Sequence, residues 1–288
     1  MTLDPRITPV RPDLADARLR GRVEAARFSE GTQKRVTAPS APVRRHPAHD
    51  AALDTEALMG ERVTVYDEHG GFAWVQVETD GYVGYGPADA LGDVGTEPNH
   101  RVAALRTFVY PGPNLKLPPT AFLSFNAAVA VVAHAGEYAE LSGGGFVHLA
   151  HLVDLSTREP DFVAVAERFV GTPYLWGGKT SLGVDCSGLL QTALAAAGIP
   201  APRDSDMMAR DLGVPVDIGP ELSGLQRGDL VCWTGHIGVM LDGERLLHAN
   251  GHAMATAIEP LRVAEERIRT KSYGPITAVR RLPALSGA

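Results

Sequence analysis

Near Asp161 the chain exchanges one hydrophobic rhythm for another, so it must hold more than one kind of domain. Upstream, from Leu53, apolar residues come in short β-type runs such as Arg62–Tyr66 and Phe72–Val77, broken by Gly-Gly and Asp-Gly turns. Downstream, Phe162, Val165, Ala166, Phe169 and Val170 follow a helical spacing that stops at Gly171. A second helix is predicted from about Cys186 to Ala197, with Leu189, Leu190, Ala193, Leu194 and Ala197 on one face and Gly198 as its stop. Strand-like runs follow at Leu230–Trp233, His236–Leu241, Arg245–Ala249 and Thr277–Arg281. Helices first and strands afterwards argue for an α+β domain with an antiparallel sheet.

The β-rich part carries a weak internal repeat. Phe72-Ala73-Trp74-Val75 followed by Gly81-Tyr82-Val83-Gly84-Tyr85 is echoed by Tyr138-Ala139-Glu140-Leu141 followed by Gly145-Phe146-Val147-His148-Leu149. Two copies of one small all-β fold are expected, at 51–96 and 97–157, ahead of a C-terminal domain at 158–288. Residues 1–50 are rich in Arg, Pro and Ala and read as an arm and linker, with one helical candidate from Asp13 to Phe28 and an extended TAPSAPVRRHP segment. A chain of 288 residues with 44% apolar content has enough material for two or three such cores.

A net charge of −7 without a basic run gives no footprint for nucleic acid or for an anionic membrane surface, so neither partner is expected. The opening MTLDPRITPVRPDLADARLR lacks the apolar stretch of a secretory signal, and no run of 18 apolar residues occurs, so a cytoplasmic location is expected. The two cysteines, Cys186 and Cys232, allow at most one disulfide and belong to no CxxC pair.

Cys186 stands in SLGVDCSGLL, where a polar Asp-Cys-Ser-Gly step precedes an apolar run. At the first turn of a helix, unpaired N–H groups and the helix dipole favour a thiolate, the form that acts as nucleophile. A small buried hydrophobe is the alternative, and position alone does not separate the two. A thiolate nucleophile needs a base and a group that orients the base. His236 opens one strand-like run and His248 closes the next, so both fall at strand ends near one sheet edge. His69, His134, His148 and His252 have no such context.

At this point a family resemblance emerges. Pro173-Tyr174-Leu175-Trp176-Gly177-Gly178, Asp185-Cys186-Ser187-Gly188, Pro202-Arg203-Asp204-Ser205, Arg227-Gly228-Asp229-Leu230-Val231, Gly235-His236-Ile237-Gly238 and His248-Ala249 together resemble, in order and spacing, the NlpC-type family of papain-like cell-wall peptidases. The resemblance spans about 160–285, and the two preceding β units are similar to bacterial SH3-like domains. It implies an α+β, papain-like catalytic domain with an antiparallel sheet, preceded by two small all-β SH3-like barrels. It also implies Cys186 as nucleophile, His236 as general base and acid, His248 as the residue orienting His236, and Tyr174 as a partner of the Cys186 N–H in an oxyanion site. Asp185 and Ser187 match positions lining the amino end of the substrate, although Asp185 also suits a helix cap. Trp176 is expected to pack the cleft wall, Arg203 and Asp204 to be structural, and Cys232 to be core. In the first SH3-like domain, Glu61 and Tyr82 or Tyr85 match positions that meet a free L-Ala amine.

The implied reaction is hydrolysis of the bond between γ-D-glutamate and a diamino acid, lysine or diaminopimelate, in a peptidoglycan stem peptide, as in cell-wall peptide recycling. The implied partner is that stem peptide, without cofactor or metal. An amidase or acyltransferase on the same scaffold, or an inactive cell-wall-peptide binding protein, are the rival readings, and the intact Cys186, His236 and His248 set counts against the last. Oligomeric state is left open.

The hairpin between the histidines adds a geometric condition. A two-residue Asp242-Gly243 turn would point the imidazoles to opposite faces of the sheet. A three-residue Leu241–Gly243 loop, with Gly243 at positive φ, makes Met240 face Glu244 and sets His236 directly opposite His248. The second register is expected.

Overall fold

The computed structural model describes residues 3–219 and 221–283, in two compact units, Met1–Thr157 and Arg158–Ala288.

In the first unit, seven strands form one antiparallel sheet in the order Leu53–Leu58, Ser40–Arg44, Val83–Pro87, Phe72–Val77, Arg62–His69, Thr32–Val36 and Leu91–Gly92. Period-two alternation turns Val63, Val65, Val75 and Val77 inward onto Val36, Ala41 and Val43. The domain therefore starts near Thr32, not at 51, because the supposed linker contributes two paired strands. Residues Asp13–Phe28 form no helix. Their place is taken by strands Leu14–Asp16 and Arg27–Ser29 and a short 3-10 turn, Ala17–Leu19. The cause is Asp16, a buried carboxylate that accepts from the Arg18 N–H at 2.7 Å and from the Tyr66 hydroxyl at 2.6 Å, which holds the backbone out of the helix while Leu14 packs on Tyr66 and Trp74.

The second β unit has its own core, including Val102, Leu123, Ala139, Val147 and Leu152. The internal repeat is structural. Phe72–Val77 pairs with Val83–Pro87, Tyr138–Leu141 pairs with Phe146–His148, and each hairpin ends in a 3-10 turn, Ala88–Ala90 or Leu149–His151.

The second unit starts with α1 (Phe162–Glu167) and α2 (Cys186–Ala196) and adds α3 (Ser205–Asp211) and α4 (Leu261–Lys271). Its sheet has six antiparallel strands in the order Val214–Pro215, Ala278–Arg281, Leu230–Trp233, His236–Met240, Arg245–Asn250 and Ala255–Pro260. Helix α2 carries more than the one apolar face its spacing predicts: ten of its eleven residues are buried, because it lies among the sheet, α1 and α3. Cys232 is fully buried in the Leu230–Trp233 strand, and both cysteines are free thiols.

The histidine hairpin takes neither sequence-based form. Val239 pairs with Leu247 and Met240 with Leu246, two residues beyond the expected pairing of Met240 with Glu244, and Gly243 does not adopt positive φ. The reason is Asp242: one carboxylate oxygen accepts from the N–H groups of Glu244 and Arg245 at 2.9 and 2.8 Å, so an Asx-type turn replaces the glycine bulge. This register keeps the two histidines on one face but makes them diagonal neighbours. Gly238 accommodates the shift, since a Cβ there would lie 3.0 Å from that of His248.

Candidate active site

Asp185 begins the site. Its backbone is extended, and its side chain accepts from the N–H of Gly188 at 2.6 Å, so it caps α2 and sets Cys186 as the first helical residue. The chain packs tightly there: a Cβ on Gly188 would meet the Gly178 carbonyl oxygen at 2.1 Å, so only glycine lets the Gly177-Gly178 loop close on the helix start. The same carboxylate accepts from the Gly177 N–H at 2.8 Å and takes both arms of the Arg203 guanidinium, at 3.0 and 2.7 Å. Arg203 also donates to the Ser187 hydroxyl at 2.9 Å, and all three side chains are buried. Asp185 thus acts as helix cap and anion of a buried pair. Both its oxygens are engaged by Arg203, so it offers a substrate ammonium a carboxylate already neutralised.

Cys186 is buried, 7% exposed. Burial, reinforced by the Asp185 charge, pushes its thiol up to about 12, against the partial help of the Ile237 and Ser187 N–H groups and of Arg203. This corrects the expectation of a resting thiolate, because desolvation outweighs the helix terminus.

His236 Nε2 lies 2.8 Å from His248 Nδ1. His248 Nε2 lies 2.7 Å from a carboxylate oxygen of Glu259, and Glu259 receives both arms of Arg267, each at 2.6 Å. A line of hydrogen bonds therefore runs from the strand beside Cys186 through two imidazoles to a carboxylate and a guanidinium. Burial, followed by the His248 and Arg267 charges, pushes His236 down to about 3, with Glu259 opposing. Burial therefore favours the neutral form of both the thiol and the imidazole. Since Nε2 of His236 is occupied by His248, Nδ1 is the nitrogen left for the thiol.

Tyr174 sits on the loop before α2, its N–H bonded to the Met254 carbonyl at 3.0 Å. Burial raises its phenol, and the charges of Cys186 and Asp185 add to this. Trp176, expected in a packed wall, is 59% exposed. In the first unit, Glu61 folds back to accept the Leu58 N–H at 2.5 Å. Tyr82 is buried in its barrel, and Tyr85 receives a hydrogen bond from Arg11 at 3.2 Å, with that guanidinium 4.4 Å from the Trp74 ring centroid. The two tyrosines are packed aromatics, not free ones.

Sequence reasoning missed Glu259, Arg267 and Tyr273. Glu259 lies on the edge strand Ala255–Pro260, two residues past Ala257, the partner of His248, and so on the same face. Arg267 lies on α4, and Tyr273 just beyond it, stacked on His236. The strand-helix run ATAIEPLRVAEERIRTK carries an alternating and then an amphipathic pattern that would have revealed both elements.

Residues 171–271 match the model of the NlpC/P60 family, and residues 43–91 match that of the bacterial dipeptidyl-peptidase SH3 domain. A γ-D-glutamyl-L-lysine dipeptidyl-peptidase of Bacillus subtilis is 28% identical over 229 residues, covering 69% of this chain and 73% of that protein. A Bacillus cereus protein of the same name is 26% identical over 260 residues, covering 77% and 76%. The crystal structure of an NlpC/P60 family protein from Bacillus cereus superposes with a TM-score of 0.73 at 22% identity, covering 88% of this chain and all of that one, which shows a shared fold.

Proposed function

We propose that this chain, whose residues 171–271 match the NlpC/P60 family, is a cysteine peptidase that hydrolyses the bond between γ-D-glutamate and the diamino acid, lysine or diaminopimelate, of free peptidoglycan stem peptides. The observation that carries the peptidase chemistry is the buried Cys186 at the start of α2 together with the buried His236–His248 pair, with 2.8 Å between the imidazoles. The bond assignment is supported by the names of the two Bacillus relatives, and the free amino end by the dipeptidyl-peptidase activity in those names.

In this reading the sulfur attacks the γ-carbonyl carbon as His236 Nδ1 takes the thiol proton, so the neutral pair becomes ionic only as the S–C bond forms. The oxyanion is met by the Cys186 N–H, which at the first turn of α2 has no intrahelical acceptor, and by the Tyr174 hydroxyl. His236 then gives its proton to the amine of the diamino acid as the C–N bond breaks. Water, deprotonated by His236, cleaves the thioester and restores the thiol. Free stem peptides are the material of cell-wall peptide recycling.

The test is mass spectrometry of digests of L-Ala-γ-D-Glu-L-Lys and its diaminopimelate counterpart, each with a free and an acetylated amine. Expected products are L-Ala-γ-D-Glu and the free diamino acid, with slower turnover of the acetylated peptides and none by Cys186→Ala. Cleavage at another bond, or turnover by Cys186→Ala, would overturn the proposal.

A further inference from the structure

We infer that Glu259, clamped by Arg267, sets the tautomers of both active-site histidines and is thereby a positioning residue for the Cys186 reaction. The inference rests on the cysteine peptidase reading of the site.

The argument runs inward from the surface. Arg267 offers a fixed fork of donors to the two oxygens of Glu259, both at 2.6 Å, and a guanidinium does not lose its proton in a protein. The paired carboxylate is held ionised, down to about 2, chiefly because the hydrogen bonds from Arg267 and His248 outweigh its burial. An ionised carboxylate only accepts. The ring nitrogen 2.7 Å from it, His248 Nε2, must therefore carry a proton. In the neutral form of His248 that single N–H is the one on Nε2, so Nδ1 is bare and accepts. Its partner 2.8 Å away, His236 Nε2, must donate. His236 then has a bare Nδ1, the lone pair that a thiol proton requires. One carboxylate thus determines the orientation of three successive proton positions.

The arrangement also serves the charged state. When His236 takes the thiol proton, its Nε2–H bond to His248 is unchanged, and the nearest fixed anion is Glu259. The other titratable or charged groups facing His236 are His248 and Tyr273, with Arg267 beyond Glu259 and Cys186 close to Tyr273. Without the carboxylate, Arg267 would oppose the imidazolium uncompensated. Neither Glu259 nor Arg267 touches the reacting atoms.

The test is nitrogen-15 NMR of histidine-labelled protein at neutral pH, joined to kinetics of Glu259→Gln and Glu259→Asp on the tripeptide. The wild-type protein should show both His236 and His248 protonated at Nε2 and bare at Nδ1. Glu259→Gln, which can donate as well as accept, should disturb that pattern and lower kcat about 10²-fold or more, the contribution typical of a correctly placed general base, with KM unchanged. Glu259→Asp should recover much of the loss. A wild-type spectrum with His236 protonated at Nδ1 overturns the inference. So does a Glu259→Gln variant with wild-type tautomers in its folded fraction, whatever its unfolding midpoint. The wild-type spectrum decides the matter even if the variant does not fold. Failure of the peptidase reading would appear separately, as tripeptide turnover by Cys186→Ala.

Discussion

The phenol of Tyr273 lies flat on the imidazole of His236, with ring centroids 5.6 Å apart and 8° between the planes. The tyrosine is 39% exposed while His236 is 3% exposed, so Tyr273 forms a cover between the His236 imidazole and solvent. Removing it in Tyr273→Ala should cost the stacking, about 0.5–1.5 kcal/mol, and lower kcat/KM three- to tenfold by about the same energy. Tyr273→Phe keeps the ring and should stay close to wild type. Equal kcat/KM for the alanine variant and the wild type would remove Tyr273 from the site.

Arg203 is 1% exposed, and its charge is balanced by Asp185. Arg203→Ala leaves a buried carboxylate at the start of α2 without its cation and should destabilise the protein by about 3–5 kcal/mol. Arg203→Lys keeps a charge but loses the fork and should fall between. Urea unfolding measures both, and a loss below 1 kcal/mol in the alanine variant would contradict the role given to the pair.

At Gly238 an added Cβ would stand 2.8 Å from a Leu246 methyl and 3.0 Å from the Cβ of His248. The methyl can rotate away, whereas the His248 Cβ moves only with its strand. Gly238→Ala should therefore displace His248 at a stability cost of about 1–3 kcal/mol and reduce kcat in protein that remains folded. Crystallography and kinetics on the variant check both, and an unmoved His248 with full kcat would refute the argument.

The site should also leave a mark on stability against pH. His236 is shifted from an ordinary 6.5 down to about 3, so the unfolded chain binds its proton more readily. The contribution is complete above about 6.5 and is lost as the pH falls towards 3. Glu259, shifted from 4.5 down to about 2, acts in the same direction at lower pH. Cys186, shifted from 9.0 up to about 12, contributes fully below 9 and less as the pH rises beyond it. Between pH 6.5 and 4, urea midpoints of the wild type should therefore fall more steeply than those of His236→Asn. Parallel slopes would mean that His236 titrates normally in the folded protein.

Much of the catalytic unit was legible because its signals are local. The Asp-Cys-Ser-Gly step marks a capped helix start through the preferences of single residues, and the ranges of α2 and of the Leu230, His236 and His248 strands follow from periodicity over a few positions. The same logic misread Asp13–Phe28 as helical, since a helical spacing of side chains there competes with one buried bond from Tyr66 to Asp16. The arm also looked like a linker, because a strand with Ser and Pro reads as a coil until its partners in the sheet are known.

The sequence by itself determined the domain kinds and pointed to Cys186 and the two histidines as site candidates, which depend on residue type and short spacing. Only the tertiary structure decided how those groups behave. Whether Cys186 rests as thiol or thiolate depends on how much water the fold removes, which no single position encodes. The register that makes the histidines diagonal neighbours came from an Asp242 turn. The carboxylate behind His248 came from an edge strand and the guanidinium that clamps it from a helix, with Arg267 eight residues further along the chain, the two drawn together by the packing of α4 on the sheet. Desolvation and long-range pairing are sums over the whole fold, and chemistry that depends on them becomes readable only when the chain is folded.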